Sequence, residues 1–402
     1  MKKSTLLIVA GIVAVLALFA CAVCFIVGVI AMPGEDTTVA EVTAVVRPEY
    51  PTFTPTAIIA PPPAETPQVQ PVAHTATPVP PSPPAPSNTP TPSPIGMSRS
   101  NPFPHSQAVS APNWDFQILE VMRGDAAWQA IQVANQFNEP PPAGMEYLTV
   151  KLGVKCTYTD SEEHSIGEND FRVTGDHLTE YSTASAVSPD PQLDAQLFTG
   201  GEAEGWATYL IRQGESNLIL FIDELFSFEE DRYRYVALDE GASINVSPAL
   251  AEIAPTDLGN DRANPAPLNQ TVTTEDWEVT ILEVIRGDPA WTMIQSANQF
   301  NDPPAEGMEY ILAKVRVRNI STADESEQID DNWFETTGNA NVLYDPPSVV
   351  EPDPALDVVL FPGGQYEGWA VMQAAIGETN LVAVFEPLFD LSDRSKRFLS
   401  LQ

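Results

Sequence analysis

Two tryptophans and two asparagines recur in the same order and at the same spacing: Trp128 with Asn135, and Trp291 with Asn298. An indole face beside a carboxamide suits a sugar ring or an extended peptide, each of which offers apolar faces and hydrogen-bonding edges together. These four residues form the candidate ligand groove. A structural reading stands beside it, in which Trp128 and Trp291 plug a hydrophobic core. Other chemistry finds little support. The four histidines, His74, His105, His164 and His177, form no His-x-x-x-His pair, so zinc catalysis is unsupported. No Gly-x-Ser-x-Gly elbow surrounds "EGWA", and no Gly-rich phosphate loop follows a strand. The acid-rich stretches 159–170 and 323–332 carry oxygens that calcium would accept. They lack EF-hand spacing and their acids do not superpose, so they are expected to be solvated. No catalytic residue, cofactor or metal is expected.

What must position the candidates is a duplicated unit. Residues 101–239 align without a gap to 264–402, a constant offset of 163 residues. Roughly 60 of about 139 positions are identical. Trp114 meets Trp277, Trp206 meets Trp369, and "GGEAEGWA" at Gly200 meets "GGQYEGWA" at Gly363. A period this long is one whole domain, within the usual range of about 100–150 residues.

The strands come from a period of two. In "EYILAKVRVRNIS", Ile311, Ala313, Val315 and Val317 fall on one face, while Lys314, Arg316 and Arg318 fall on the other. Leu148, Val150, Leu152 and Val154 repeat the pattern in the first copy. "WDFQILEVMRG" and "WEVTILEVIRG" alternate as well. About seven short strands per copy, punctuated by Gly, Pro, Asn and Asp, read as an antiparallel β-sandwich. A short helix interrupts each. Asp288 followed by Pro289 reads as an N-cap with a first-turn proline, and Trp291, Ile294 and Ala297 come next at helical spacing. Asp125, Trp128, Ile131 and Ala134 match them. "FNEPP" and "FNDPP" stop the helices. The apolar face of each helix is expected to cover one open end of the sandwich. Cys156, whose counterpart is Asn319, reads as a small core-facing residue; Cys21 and Cys24 lie in an apolar run.

That run, residues 6–32, carries no charge and is long enough to span a bilayer, which takes about 20 apolar residues. Lys2 and Lys3 precede it, so the N-terminus is expected in the cytoplasm and the rest outside. Cleavage as a signal peptide and lipidation at Cys21, after an imperfect lipobox "LFAC", are the competing readings. Residues 33–113 are rich in Pro and Thr and read as an extended, disordered stalk. A passive tether, a recognition motif and a glycosylated stalk all fit that composition. The resulting division is 1–5 cytoplasmic, 6–32 transmembrane helix, 33–113 stalk, 114–239 first sandwich, 240–276 connector with few contacts, and 277–402 second sandwich. The formal net charge is −36, and residues 1–113 hold four Lys/Arg against five Asp/Glu, so the repeats carry nearly all of it. Such a surface repels nucleic acid.

The order of motifs adds a resemblance. A strand leads to "RGDxAW", then "FNxPPxxGMEY", then "LFxGGxxEGWA", then an apolar strand after "GESNL" or "GETNL". This resembles the telokin-like, immunoglobulin-fold domains of unknown function carried by exported bacterial proteins. The resemblance rests on Glu146-Tyr147 and Glu309-Tyr310, on Gly201 with Gly205, and on Gly364 with Gly368, over most of 114–239 and 277–402. The longer segment between the first two strands departs from the shortest members. The resemblance implies an all-β protein of two tandem immunoglobulin-like β-sandwich domains with no assigned catalytic residues. The expected function is a non-catalytic binding, adhesion or spacing module of the bacterial cell envelope. Its partners would be the membrane, through residues 6–32, and an envelope protein or glycan. The alternative is an extracytoplasmic enzyme or ligand sensor with its site at the repeat interface.

Overall fold

The computed structural model describes residues 94–223, 232–387 and 395–402. The expected membrane span at 6–32 and the stalk up to residue 93 lie outside them. Among the described residues no helix is long and apolar enough to cross a membrane.

Among the described residues, each repeat is a β-sandwich built from ten strands and one α-helix. Repeat 1 comprises β1 (Val109–Ser110), β2 (Trp114–Arg123), α1 (Asp125–Ala134), β3 (Met145–Cys156), β4 (His164–Gly167), β5 (Phe171–Thr174), β6 (Glu180–Tyr181), β7 (Asp194–Leu197), β8 (Glu202–Arg212), β9 (Ile219–Ile222) and β10 (Arg234–Ala237). One sheet runs β1-β2-β3-β8, the other β10-β9-β5-β6, and β4-β7 forms a separate ribbon. Repeat 2 copies this plan. Its elements are β11 (Val272–Thr273), β12 (Trp277–Arg286), α2 (Asp288–Ala297), β13 (Met308–Asn319), β14 (Glu327–Asp330), β15 (Phe334–Thr337), β16 (Leu343–Tyr344), β17 (Asp357–Leu360), β18 (Gln365–Ala375), β19 (Val382–Phe385) and β20 (Arg397–Ser400). The sheets are β11-β12-β13-β18 and β16-β15-β19-β20, with the ribbon β14-β17.

The alternating strands do what their period demands. Leu148, Val150, Leu152 and Val154 enter one core with Trp114 and Phe171, and Ile311, Ala313, Val315 and Val317 enter the other with Trp277 and Phe334. On the wet face Lys151 pairs with Glu204 at 3.0 Å and Arg316 with Glu367 at 2.7 Å. Such exposed pairs contribute little individually. The alternation of the preceding strand is not continuous. β2 shifts register between Ile118 and Glu120, and β12 between Ile281 and Glu283. The extra residue re-aims the remainder of the strand. Met122 and Ile285 thereby turn away from the sandwich core and pack under the helices. Cys156 is buried, as is Asn319.

Two boundaries move. Residues 94–113, expected as the end of the stalk, fold onto repeat 1. Phe103 lies parallel to β10, donating from its amide to Tyr235 O (2.8 Å) and accepting from Ala237 N (2.9 Å). Residues 257–276, expected as a connector with few contacts, do the same for repeat 2. Ala266 donates to Phe398 O and accepts from Ser400 N, both at 2.8 Å. Both arms are rich in turn residues, so their local chemistry reads as loop, while hydrogen bonds to distant strands fix them.

The repeats are also joined. Phe361, just after β17, packs on Phe221, Tyr235, Ile219 and Ile244 of repeat 1. Its amide donates to Leu178 O at 2.8 Å. Arg99 is fully buried, lies over the Phe361 ring at 3.8 Å, and donates through Nε to Asp324 Oδ1 at 2.9 Å. Burial lowers the Arg99 pKa, and the Asp324 charge and hydrogen bond oppose that. The carboxylate therefore supports a guanidinium withdrawn from water.

Candidate functional site

The segments that carry the four candidate residues begin at a tight corner. Gly124 (φ 59°) and Gly287 (φ 65°) precede the helices in a conformation that a side chain would strain. They are the N-caps, and no side chain caps either helix. Asp125 and Asp288 sit one position inside, in the first turn, where the helix dipole favours an acid. The expected Asp288 cap is thus displaced by one residue.

The helices lie on the outer face of the β1-β2-β3-β8 and β11-β12-β13-β18 sheets, not over an open end of the sandwich. Tyr147 packs against α1, while its neighbour Leu148 points into the main core. Ala127 and Ile131 are the buried helix residues in repeat 1, and Ala290 and Ile294 in repeat 2. Trp128 and Trp291 are partly buried and pack on the small clusters under the helices, outside the sandwich cores. Each rests on a tyrosine of the next strand. Trp128 stacks on Tyr147 with centroids 5.9 Å apart, and Trp291 tilts over Tyr310 at 6.0 Å.

Asn135 and Asn298 serve the chain itself. Their Oδ1 atoms accept from the amides of Phe137 and Phe300, each at 3.0 Å, turning the backbone out of the helix. The shallow hollow beside α2, about 320 Å³, is lined by Thr292, Met293, Ser296, Ala297, Pro352 and Asp353. None of the four candidates lines it.

Sequence reasoning passed over the residues that fix this segment. Asn138 Nδ2 donates to Ile131 O (2.9 Å) and to Val187 O (3.0 Å), and its Oδ1 accepts from Val187 N (2.9 Å). Asn301 repeats the set with Ile294 O, Val350 O and Val350 N. Each side chain thus acts as a strand residue toward a distant loop. Tyr147 OH donates to Glu139 O and Tyr310 OH to Asp302 O, both at 3.0 Å. Burial, then the nearby acid, raises both phenol pKa values. Glu146 receives Arg123 Nη2 at 2.7 Å and the Gly214 amide at 2.8 Å. Burial works to raise the Glu146 pKa, but these bonds and the Arg123 charge outweigh it and hold it low. The "Glu-Tyr" pair is therefore a structural clamp. The identity of "FN" in both copies was the available signal, and it had read only as a helix stop.

The clamp leaves one apolar group outside. Phe137 is 81% exposed and Phe300 83% exposed, at equivalent positions. Val133, in the last turn of α1, is also exposed. The other proposed location, the repeat interface, is filled by Phe361, Arg99 and their partners.

No family profile matches the sequence, and no curated protein matches it. Solved structures similar to parts of the chain include the ycdA protein of Bacillus subtilis, at 14% identity and a TM-score of 0.26 over 33% of this chain and 38% of that one. The yjhA protein of Bacillus subtilis is similar at 13% identity and a TM-score of 0.25, over 34% of this chain and 99% of that one. An uncharacterized β-sandwich protein of Clostridium difficile is similar at 8% identity and a TM-score of 0.24, over 37% and 99% respectively. At these scores the likeness carries no functional argument.

Proposed function

We propose that the chain is a rigid, non-catalytic binding and spacing module of a bacterial cell envelope, held to the membrane by residues 6–32 with both sandwiches outside. The observation that carries this reading is the pairing of a locked joint with a duplicated surface. Phe361 and Arg99 fix one repeat against the other, and each repeat holds one exposed phenylalanine on a hydrogen-bonded clamp. Two equivalent aromatic contacts on one body would bind a repetitive partner, an envelope glycan or an extended protein, with avidity rather than with one deep pocket. Trp128, Asn135, Trp291 and Asn298 would support those surfaces from beneath.

The test uses the full-length chain in liposomes and isolated cell-envelope glycan as the probe. Capture should drop by more than about tenfold in the Phe137→Ser, Phe300→Ser double variant, and each single variant should keep part of it. Equal capture by wild type and double variant would remove the phenylalanines from the reading. The orientation is tested on intact cells. The mature N-terminus should be retained and residues beyond 32 should be open to protease; a mature chain that starts at a lipidated Cys21 would overturn the anchor.

A further inference from the structure

The joint between the repeats is built from parts that the molecule carries twice. Repeat 2 supplies a knob, the loop "LFPGG" from Leu360 to Gly364. Repeat 1 supplies a receiving edge, Leu178, Thr179 and β6. Thr179 forms an antiparallel bridge with Leu360, and Ser326 Oγ donates to Glu180 Oε2 at 2.5 Å. The fit is close at the glycines. A Cβ on Gly363 would meet Leu178 Cδ1 at 3.1 Å, and one on Gly364 would meet Leu178 O at 2.8 Å.

Repeat 1 carries the same knob, "LFTGG" from Leu197 to Gly201, and among the described residues nothing is seated on its ring. Phe198 is 61% exposed where Phe361 is 1% exposed. A Cβ on Gly200 would meet nothing within 4 Å. Repeat 2 carries an equivalent edge at β16, with Val384 and Phe398 where Phe221 and Tyr235 meet the Phe361 ring. Asn341 keeps the left-handed backbone of Leu178, with φ of 57° against 58°. Val342 and Leu343 replace Thr179 and Glu180 and are 46% and 50% exposed. The free edge is thus more apolar than the occupied one.

Charge agrees with the shape. Arg262 stands at the place of Arg99, held at the edge by Asn341 Oδ1 (2.7 Å) and by Gly338 O. At the free knob, the place of Asp324 is taken by Ser161, between Asp160 and Glu162, and all three are exposed. An incoming knob would bring these carboxylates to Arg262, as Asp324 comes to Arg99.

We infer that the chain associates with a second copy of itself head to tail, the Phe198 loop of one copy docking on Val342, Leu343 and Arg262 of the next. The contact uses a different surface on each copy, so a two-fold axis does not close it, and it continues from copy to copy into a ring or an open chain. This contact lies within residues 94–402 and is separate from the membrane anchor and from the exposed phenylalanines at 137 and 300.

The test uses the full-length chain in detergent, with Cys21 and Cys24 replaced by serine so that buried Cys156 is the one native thiol. Salt is set at about 0.15 M, where charge repulsion is screened beyond ~8 Å. Chains bearing Thr199→Cys, which leaves the Phe198 ring in place, are mixed with chains bearing Val342→Cys and oxidised. Disulfide-linked pairs should form at least about tenfold faster in the mixture than in either variant alone. Sedimentation of the uncrosslinked chain should show concentration-dependent association that Phe198→Asp abolishes. Phe198 is exposed, so that variant should keep its near-ultraviolet circular dichroism. A chain that stays monomeric at every concentration overturns the inference, as does equally fast Thr199→Cys self-pairing. Unchanged association in Phe198→Asp has the same force.

Discussion

Where repeat 1 sets Glu168 against Ser188, repeat 2 sets Asp331 against Glu351, at equivalent positions. The first pair is joined simply: Ser188 Oγ donates to Glu168 Oε2 at 2.7 Å and to Thr208 Oγ1 at 2.9 Å. The second pair brings two acids together. Burial first, then the Glu351 charge and a hydrogen bond with Glu351, pushes the Asp331 pKa up to about 8, with the Val371 amide opposing. Two carboxyls in one buried place share a proton because both cannot ionise at low cost. The two repeats keep the same strands, bulge and helix around these different pairs. Apolar periodicity therefore specifies the scaffold, and polar pairs are free to diverge inside it. Phe198 and Phe361 show the complementary case, one residue type in one loop with opposite exposure.

The largest test of the comparison is at those phenylalanines. Phe361→Ala should cost about 3–5 kcal/mol in denaturant unfolding of residues 94–402, as for a buried aromatic. Phe198→Ala should stay within about 0.5 kcal/mol, as for an exposed site. Similar costs at both positions would mean that the joint is not an organising contact.

The helices come next. Ile294→Ala should cost about 2–5 kcal/mol, because Ile294 is fully buried under α2. Trp291→Ala should cost less than Ile294→Ala, since the indole is partly exposed. The reverse order would restore the tryptophan as a core plug.

The acid pair predicts a pH dependence confined to repeat 2. The folded pKa of Asp331 lies above its unfolded value, so the folded state binds the proton more tightly. The associated stability is full below about pH 4 and is lost as pH rises toward 8, on the order of 1–2 kcal/mol after discounting for coupling and partial screening. Glu351→Ser, which copies repeat 1, should flatten that slope. A slope unchanged in Glu351→Ser would assign it to other groups.

The smallest effect is expected at Tyr209. Its hydroxyl is buried with no hydrogen-bond partner among the described residues, and the equivalent residue in repeat 2 is Met372. Tyr209→Phe should leave the melting temperature unchanged or raise it, by up to about 1 kcal/mol in stability. A marked loss of stability would reveal a partner for the hydroxyl, such as a buried water.

The sequence by itself determined the duplication, the sandwich class and the two short helices. Each of these is written in local periodicity: alternation in 148–154 and 311–317, and i, i+3 spacing after Asp125 and Asp288. Of the candidate site, the tryptophans fall on the helices and the asparagines just past them, at the C-caps, but their roles were not legible. A spacing of three or four residues says which face is apolar, not which surface that face meets. The outer-face position of the helices stems from the register shift at Ile118 and Ile281, which alternation hides. The bracing by Asn138 joins residues 49 apart, and the arm at Phe103 meets Tyr235 across the whole repeat. The joint is the clearest limit. "LF" followed by "GG" occurs at Phe198 and at Phe361 with nearly identical neighbours, yet one ring is covered and the other is bare. Burial is a property of what lies opposite in space, and only the tertiary structure sets a second surface against the same short loop.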